Sequence, residues 1–201
     1  MAWAPDYVTA AELKAYLRIS DTVDDVQIAL AITAASRAVD RHTSRQFGLV
    51  AAPEARTYTS RWDRLRRRYV CDIDDLMTVT GLTITNTQGP VTGYTLKPGN
   101  APAKGRPWTL LVLDPQPTIH PTPWVTLEDD VTVTARYGWT TVPDPVKQAT
   151  LLQASRIVAR RGAPFGVAGS PDLGNELRLL AKVDVDVAVV LGPYIRWWSA
   201  A

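Results

Sequence analysis

At 201 residues the chain is long enough for one core carrying an inserted subdomain, and with 46% hydrophobic and 21% charged residues it is too apolar and too mixed in charge to be disordered. A formal net charge of +2 excludes a global field for polyanions, so contact with nucleic acid requires a local cluster. Cys71 is the sole cysteine, which excludes an internal disulfide and a multi-cysteine zinc site and fits a reducing compartment. No basic, apolar, small-residue signal pattern opens the chain, and no stretch of about 18 apolar residues is present to span a bilayer, so neither secretion nor membrane insertion is expected.

Val8-Thr9-Ala10-Ala11-Glu12 reads as a helix start, with Thr9 as cap, Glu12 closing a capping box, and Leu13, Tyr16 and Leu17 as an apolar stripe. Ser20-Asp21-Thr22 breaks this helix. Asp24 and Asp25 then place negative charge at the amino end of a long Ala-rich helix, for which Gly48 is the expected stop. At 100° per residue, Ile28, Ala31, Ile32, Ala35 and Val39 form one stripe. Val26, Leu30, Thr33 and Arg37 lie roughly opposite, apolar at first and polar at Arg37. A helix with two apolar stripes needs cover on both sides, so Val26, Leu30 and Arg37 are the expected contacts with a neighbouring subunit.

Beyond Gly48 the texture turns Thr-, Val- and Pro-rich and the period shortens towards two. Strands are expected at 56–59, 69–71, 79–85, 94–96, 109–113 and 131–137, punctuated by Gly89-Pro90, Pro98-Gly99-Asn100 and Asp129-Asp130. The proline-rich segments 98–107 and 115–123 read as exposed loops. Helix returns at Pro143-Asp144-Pro145, with Asp144 as N-cap, and runs to Arg161 before Gly162 and Pro164; Val146, Thr150, Leu151, Ala154, Ile157 and Val158 make its apolar arc. The stretch 175–182 suits a short helix or a strand. Residues 183–191 alternate as a strand does, while Asp184 or Asp186 equally suits the cap of a short helix ending at Gly192-Pro193. The expected division is therefore a helical part at 1–52, an inserted β subdomain with projecting loops at 53–142, and a helical part with a tail arm at 143–201. The fold class is α+β, a small helical bundle formed by both ends of the chain around a strand- and hairpin-rich insertion.

Raw material for catalysis is thin. His42 and His120 are the only histidines, one near the end of the long helix and one in the proline-rich loop, and catalysis demands convergent partners as well as the residue type. Asp72, Asp74 and Asp75 next to Cys71 raise rather than lower a thiol pKa, so a buried structural thiol is expected. The same three acids suggest a calcium loop, but Met77 stands where the loop needs glycine and the distal glutamate is missing. The glycines at 162, 166, 169 and 174 lack the spacing of a phosphate-cradling loop. No enzymatic activity, no metal and no cofactor is expected.

The most unusual local composition is Arg61-Trp62-Asp63-Arg64-Leu65-Arg66-Arg67-Arg68-Tyr69, five arginines with two aromatics. Guanidinium forks match phosphate, and arginine is equally enriched at protein interfaces, so Arg61, Trp62, Arg64, Arg66, Arg67 and Arg68 are candidate contacts to either DNA or a protein partner. At the carboxyl end, Tyr194, Ile195, Trp197 and Trp198 follow Gly192-Pro193 as an apolar, aromatic arm suited to docking on a partner.

Three stretches together resemble the head–tail connector (adaptor) proteins of long-tailed double-stranded DNA bacteriophages. They are residues 8–17 with Asp24-Asp25 and the long helix ending Val39-Asp40-Arg41-His42-Thr43-Ser44-Arg45-Gln46-Phe47; residues 131–139 running through Val142-Pro143 and Val146-Lys147-Gln148-Ala149 to Arg160-Arg161-Gly162; and residues 185–191 leading into Pro193-Tyr194. The insertion, with its arginine run, departs from the compact family pattern. The resemblance implies a virion neck protein, assembled in the host cytoplasm as a homo-oligomeric ring of about twelve copies under the portal protein. It further implies a downstream neck or tail protein as second partner, DNA passing non-specifically through the extended channel, and no membrane. The alternative is a nucleic-acid-binding accessory protein using the arginine segment 61–68.

Overall fold

The computed structural model describes residues 4–114, 127–160, 167–168, 177–178 and 185–196. The chain divides into two compact units, one of Met1–Phe47 with Val142–Ala201 and one of Gly48–Thr141. The described residues are α+β, with four α-helices and a seven-stranded antiparallel sheet. No helix among them is long and apolar enough to cross a membrane.

In the first unit, α1 (Ala10–Leu17) begins on the capping box its sequence announces. The Thr9 hydroxyl accepts the Glu12 N–H at 3.2 Å, while the Glu12 carboxylate accepts the Thr9 N–H at 2.6 Å. The helix ends at Arg18, whose left-handed φ of 58° lets the Ile19 N–H reach back to the Lys14 carbonyl at 3.0 Å. Helix α2 (Asp25–Thr43) has Asp24 at the cap position, though its side chain makes no capping bond, and Asp25 pairs with Lys14. The helix does not run to Gly48. It stops at Thr43, with Ser44 in the left-handed conformation, because Phe47 is drawn into the core against Tyr7 at 5.6 Å and Tyr194 at 5.9 Å between ring centres. Capture of an aromatic anchor overrides the glycine signal.

Helix α3 (Asp144–Arg160) starts one residue earlier than its sequence suggests. The carbonyl of Pro143 accepts from Val146 and Lys147 at 3.0 and 3.1 Å, so Asp144 lies inside the first turn. Its small inner residues, Ala149, Thr150 and Ala154, bring it close to α2. Val8, Leu13, Ile28, Ile32, Ala35 and Ala154 form the shared core, with Leu17, Ile19, Leu151 and Ile157 around it. Helix α4 (Val185–Leu191) settles the open reading over 185–191 against the local alternation. Val187 and Leu191, four apart, are buried, while Val185 and Val189 are exposed. A run with valine at every second position fits either period, and packing against α3 selects the helix. A 3-10 turn, Gly192–Tyr194, follows.

The second unit is the sheet: β1 (Glu54–Asp63), β2 (Arg68–Leu76), β3 (Thr83–Asn86), β4 (Gly89–Pro90), β5 (Tyr94–Lys97), β6 (Trp108–Leu113) and β7 (Leu127–Ala135), in the order β4-β3-β7-β1-β2-β6-β5. The strand expected at 79–85 is shorter, because Gly81, with φ 76°, turns the chain and the Val79 carbonyl accepts from Leu82. Strand β1 pairs with β7 from Glu54 to Ser60 and with β2 over its last three residues. Only Val91, Thr92 and Gly93 separate the edge strands β4 and β5, a reach of roughly 14 Å, so the sheet must curl to bring its edges near one another. Three consecutive buried residues, Tyr69, Val70 and Cys71, show β2 covered on both faces. A bulge between Tyr58 and Ser60 is held by Asp130, which accepts the Ser60 N–H at 3.1 Å and its hydroxyl at 2.9 Å. Outside this sheet, β8 (Val167–Ala168) pairs with β9 (Leu177–Arg178).

Candidate interaction surfaces

The arginine segment forms the β1–β2 hairpin. Trp62 faces Tyr69 across the ladder and Asp63 faces Arg68, which leaves 64–67 as the turn. The Trp62 and Tyr69 rings meet edge to face at 5.2 Å and brace its base. Asp63 builds the turn by accepting the N–H groups of Leu65 and Arg66, each at 2.9 Å, and it also pairs with the Arg66 guanidinium. These donors hold its carboxyl below the usual range, the Arg66 N–H foremost. Arg67 closes the turn in the left-handed region with φ 54°. Arg61 is joined to Asp72 at 3.0 Å. The five charges are thus partly matched by two carboxylates, while Arg64, Leu65, Arg66 and Arg67 are all exposed. Leu65, at 95% exposure, is the apex.

On α2, Val26 and Leu30 are 72% and 60% exposed, so among the described residues nothing covers these two side chains. Arg37 also has partners within its own chain. Half-buried, it pairs with Asp40 at 2.9 Å and donates to the Pro5 carbonyl at 2.7 Å, while its guanidinium lies over the Tyr7 ring. Asp40 also accepts the Tyr7 hydroxyl proton, and that hydroxyl accepts the Phe47 N–H at 3.0 Å. Burial and the Asp40 carboxylate push the Tyr7 phenol far up, and burial likewise raises Asp40. This network ties the amino-terminal segment to both ends of the long helix's second half. Its one sequence signal is the i, i+3 spacing of Arg37 and Asp40; the distant Tyr7 has none.

Tyr194 is anchored in the helical unit, and Ile195, half-buried, donates its N–H to the Gly192 carbonyl at 3.3 Å. The Tyr194 carbonyl accepts from Arg45 at 2.7 Å, its ring packs on Phe47, and the next N–H but one, of Arg196, reaches the Thr43 carbonyl at 2.8 Å. Trp197 and Trp198 lie outside the described residues, as does His120.

The three acids of β2 go three ways, each to its own donor. Asp72 takes Arg61; Asp74 takes Arg56 at 2.8 Å and the Tyr58 hydroxyl at 3.0 Å; Asp75, buried, takes the Trp139 indole N–H at 2.8 Å. No group of three metal-ligating side chains occurs among the described residues. The Cys71 thiol is buried and pushed up to about 12 by that burial and by the neighbouring carboxylates of Asp130 and Asp72. His42 is half-buried near the end of α2. In the helical unit a cleft of about 480 Å³ is lined by Asp6, Glu12 and Lys147 beside Ala29 and Ile32; of its two carboxylates, Glu12 is committed to capping α1 and Asp6 accepts from the Thr33 hydroxyl at 3.2 Å.

No family model and no curated protein matches this sequence. The fold is shared with a chain of a solved structure described as the neck of an empty GTA particle computed with C6 symmetry, with a TM-score of 0.54 and 17% identity, over 100% of this chain and 95% of that one.

Proposed function

We propose that this chain is a structural protein of a phage-type neck, a head-to-tail connector that forms a ring under a portal, extends the DNA channel and joins capsid to tail without catalysing a reaction. The observation carrying the reading is the likeness in fold to a neck chain along the whole length, including the inserted sheet. The order of the segments 8–47, 131–162 and 185–194, read from sequence, supports the same conclusion independently. In this reading the four helices act as a small bundle, the exposed Val26 and Leu30 stripe meets a second copy, and the hairpin at 61–68 reaches a neighbouring component. Sixfold symmetry in the neighbour's particle is compatible with rings of six or about twelve copies. The remaining partners are the portal, a downstream neck or tail protein and DNA passing without sequence preference; the protein resides in the virion after assembly in the host cytoplasm.

The test is electron microscopy of purified chain with and without portal rings. Closed rings seated coaxially on the portal are expected. A chain that stays monomeric and leaves portal rings bare overturns the proposal. The second reading, a nucleic-acid-binding accessory protein, draws on the exposed arginines of the hairpin. It requires duplex binding by the free chain that falls steeply with salt and is lost when Arg64, Arg66, Arg67 and Arg68 are replaced by Ala.

A further inference from the structure

We infer that the β1–β2 hairpin docks into a protein partner, with Leu65 as an apolar knob entering a pocket whose rim carries carboxylates. This deepens the neck reading by naming the chemistry of one attachment, and it rests on that reading. An element built only to follow phosphate presents guanidinium groups at its apex, since the ligand there is a charged oxygen. Here the apex is a leucine, 95% exposed, flanked in sequence by Arg64 and Arg66 with Arg67 next. A single exposed leucine on a loose loop carries no information. This one is held. Two N–H bonds to Asp63, the left-handed Arg67 and the Trp62–Tyr69 ring contact fix the turn before any partner arrives, so little conformational freedom remains to be lost on docking.

The charge pattern specifies the rim. Asp63 turns its oxygens to the Leu65 and Arg66 N–H groups and the Arg66 guanidinium, and Asp72 pairs with Arg61 down the ladder, so arginine outnumbers carboxylate in the exposed turn around Leu65. An apolar centre ringed by cations matches a pocket with an apolar floor and acidic edge. The Arg rim sets the approach and the register, while the leucine supplies burial.

The experiment measures binding of the full chain to purified portal rings, to the downstream neck protein and to a 30-base-pair duplex, each at two salt concentrations. The parent is expected to bind one of the two proteins. Leu65→Ala should weaken that binding at least tenfold with an unchanged salt dependence, and Leu65→Asp should abolish it. Replacing Arg64, Arg66 and Arg67 with Gln should weaken binding and flatten the salt dependence. Because these residues are exposed, circular dichroism should show parental folding in every variant. Binding to the protein partner that is indifferent to Leu65→Asp overturns the knob while leaving the neck reading standing. Duplex binding lost in the arginine variant and unaffected at Leu65 assigns the hairpin to nucleic acid and overturns the inference. A parent that binds neither protein removes the neck reading and this inference with it.

Discussion

Gly138 is the residue with least room for change. It has φ 104°, and a Cβ there would lie 2.0 Å from the Gly48 carbonyl oxygen, which accepts the Trp139 N–H at 2.9 Å. Gly138→Ala combines a disfavoured backbone conformation with a clash against main chain that cannot rotate away. Its expected cost is at least about 2 kcal/mol, read as a lowered urea midpoint. An unchanged midpoint would show that the two segments separate freely. Cys71 is a buried thiol held far from its ionisation range, so it should stay silent towards a thiol reagent at pH 8 in the folded protein and react only after unfolding. Cys71→Ser should keep fold and assembly at a cost of about 1 kcal/mol for the buried hydroxyl. Loss of function in a soluble, folded variant would assign the thiol a role beyond packing.

At the scale of an element, α1 depends on its capping box. The Glu12 carboxylate accepts the Thr9 N–H and hydroxyl, which lowers its pKa below 4.5. An acid depressed on folding contributes stability above its unfolded pKa and loses it as pH falls through the folded value. The exposed site limits the effect to about 0.5 kcal/mol. Amide exchange in the first turn of α1 should therefore accelerate below about pH 4.5, and Glu12→Gln should remove that acid step; an identical pH profile in the variant would remove the box from the account. For α2, Val26→Asp with Leu30→Asp should leave monomer melting within about 0.5 kcal/mol, because both side chains already face solvent, while abolishing assembly. A double variant that still forms rings would free this stripe from any subunit contact.

For the whole molecule, the helical unit is assembled from the two parts of the chain that flank the sheet unit in sequence. Its carboxyl-terminal closure is the contact of Tyr194 and Arg196 with Thr43, Arg45 and Phe47. Truncation after Arg196 should therefore keep the parental melting temperature and weaken only the joining of particles. Truncation after Pro193 should lower the melting temperature by several degrees, in line with loss of about 1–2 kcal/mol of aromatic packing and hydrogen bonding. Equal melting of the two truncated chains would place Tyr194 outside the core of its own unit.

The amino-acid sequence by itself determined what depends on near neighbours. The capping box at Thr9 and Glu12, the inner stripe from Ile28 to Val39 and the texture change into strands are each set by periods of two or 3.6 and by capping chemistry within a few residues. Tertiary structure decided everything that required two distant segments to meet. Phe47, gripped by Tyr7 and Tyr194, ended α2 short of its glycine. Packing on α3 made a helix of an alternating valine run. Asp40 joined Arg37 to a network with Tyr7, and Asp72, Asp74 and Asp75 were parted among Arg61, Arg56 and Trp139. A buried or half-buried polar group takes whichever partner the fold brings within about 3 Å, and that proximity is a property of the packed chain, invisible in the spacing of its residues.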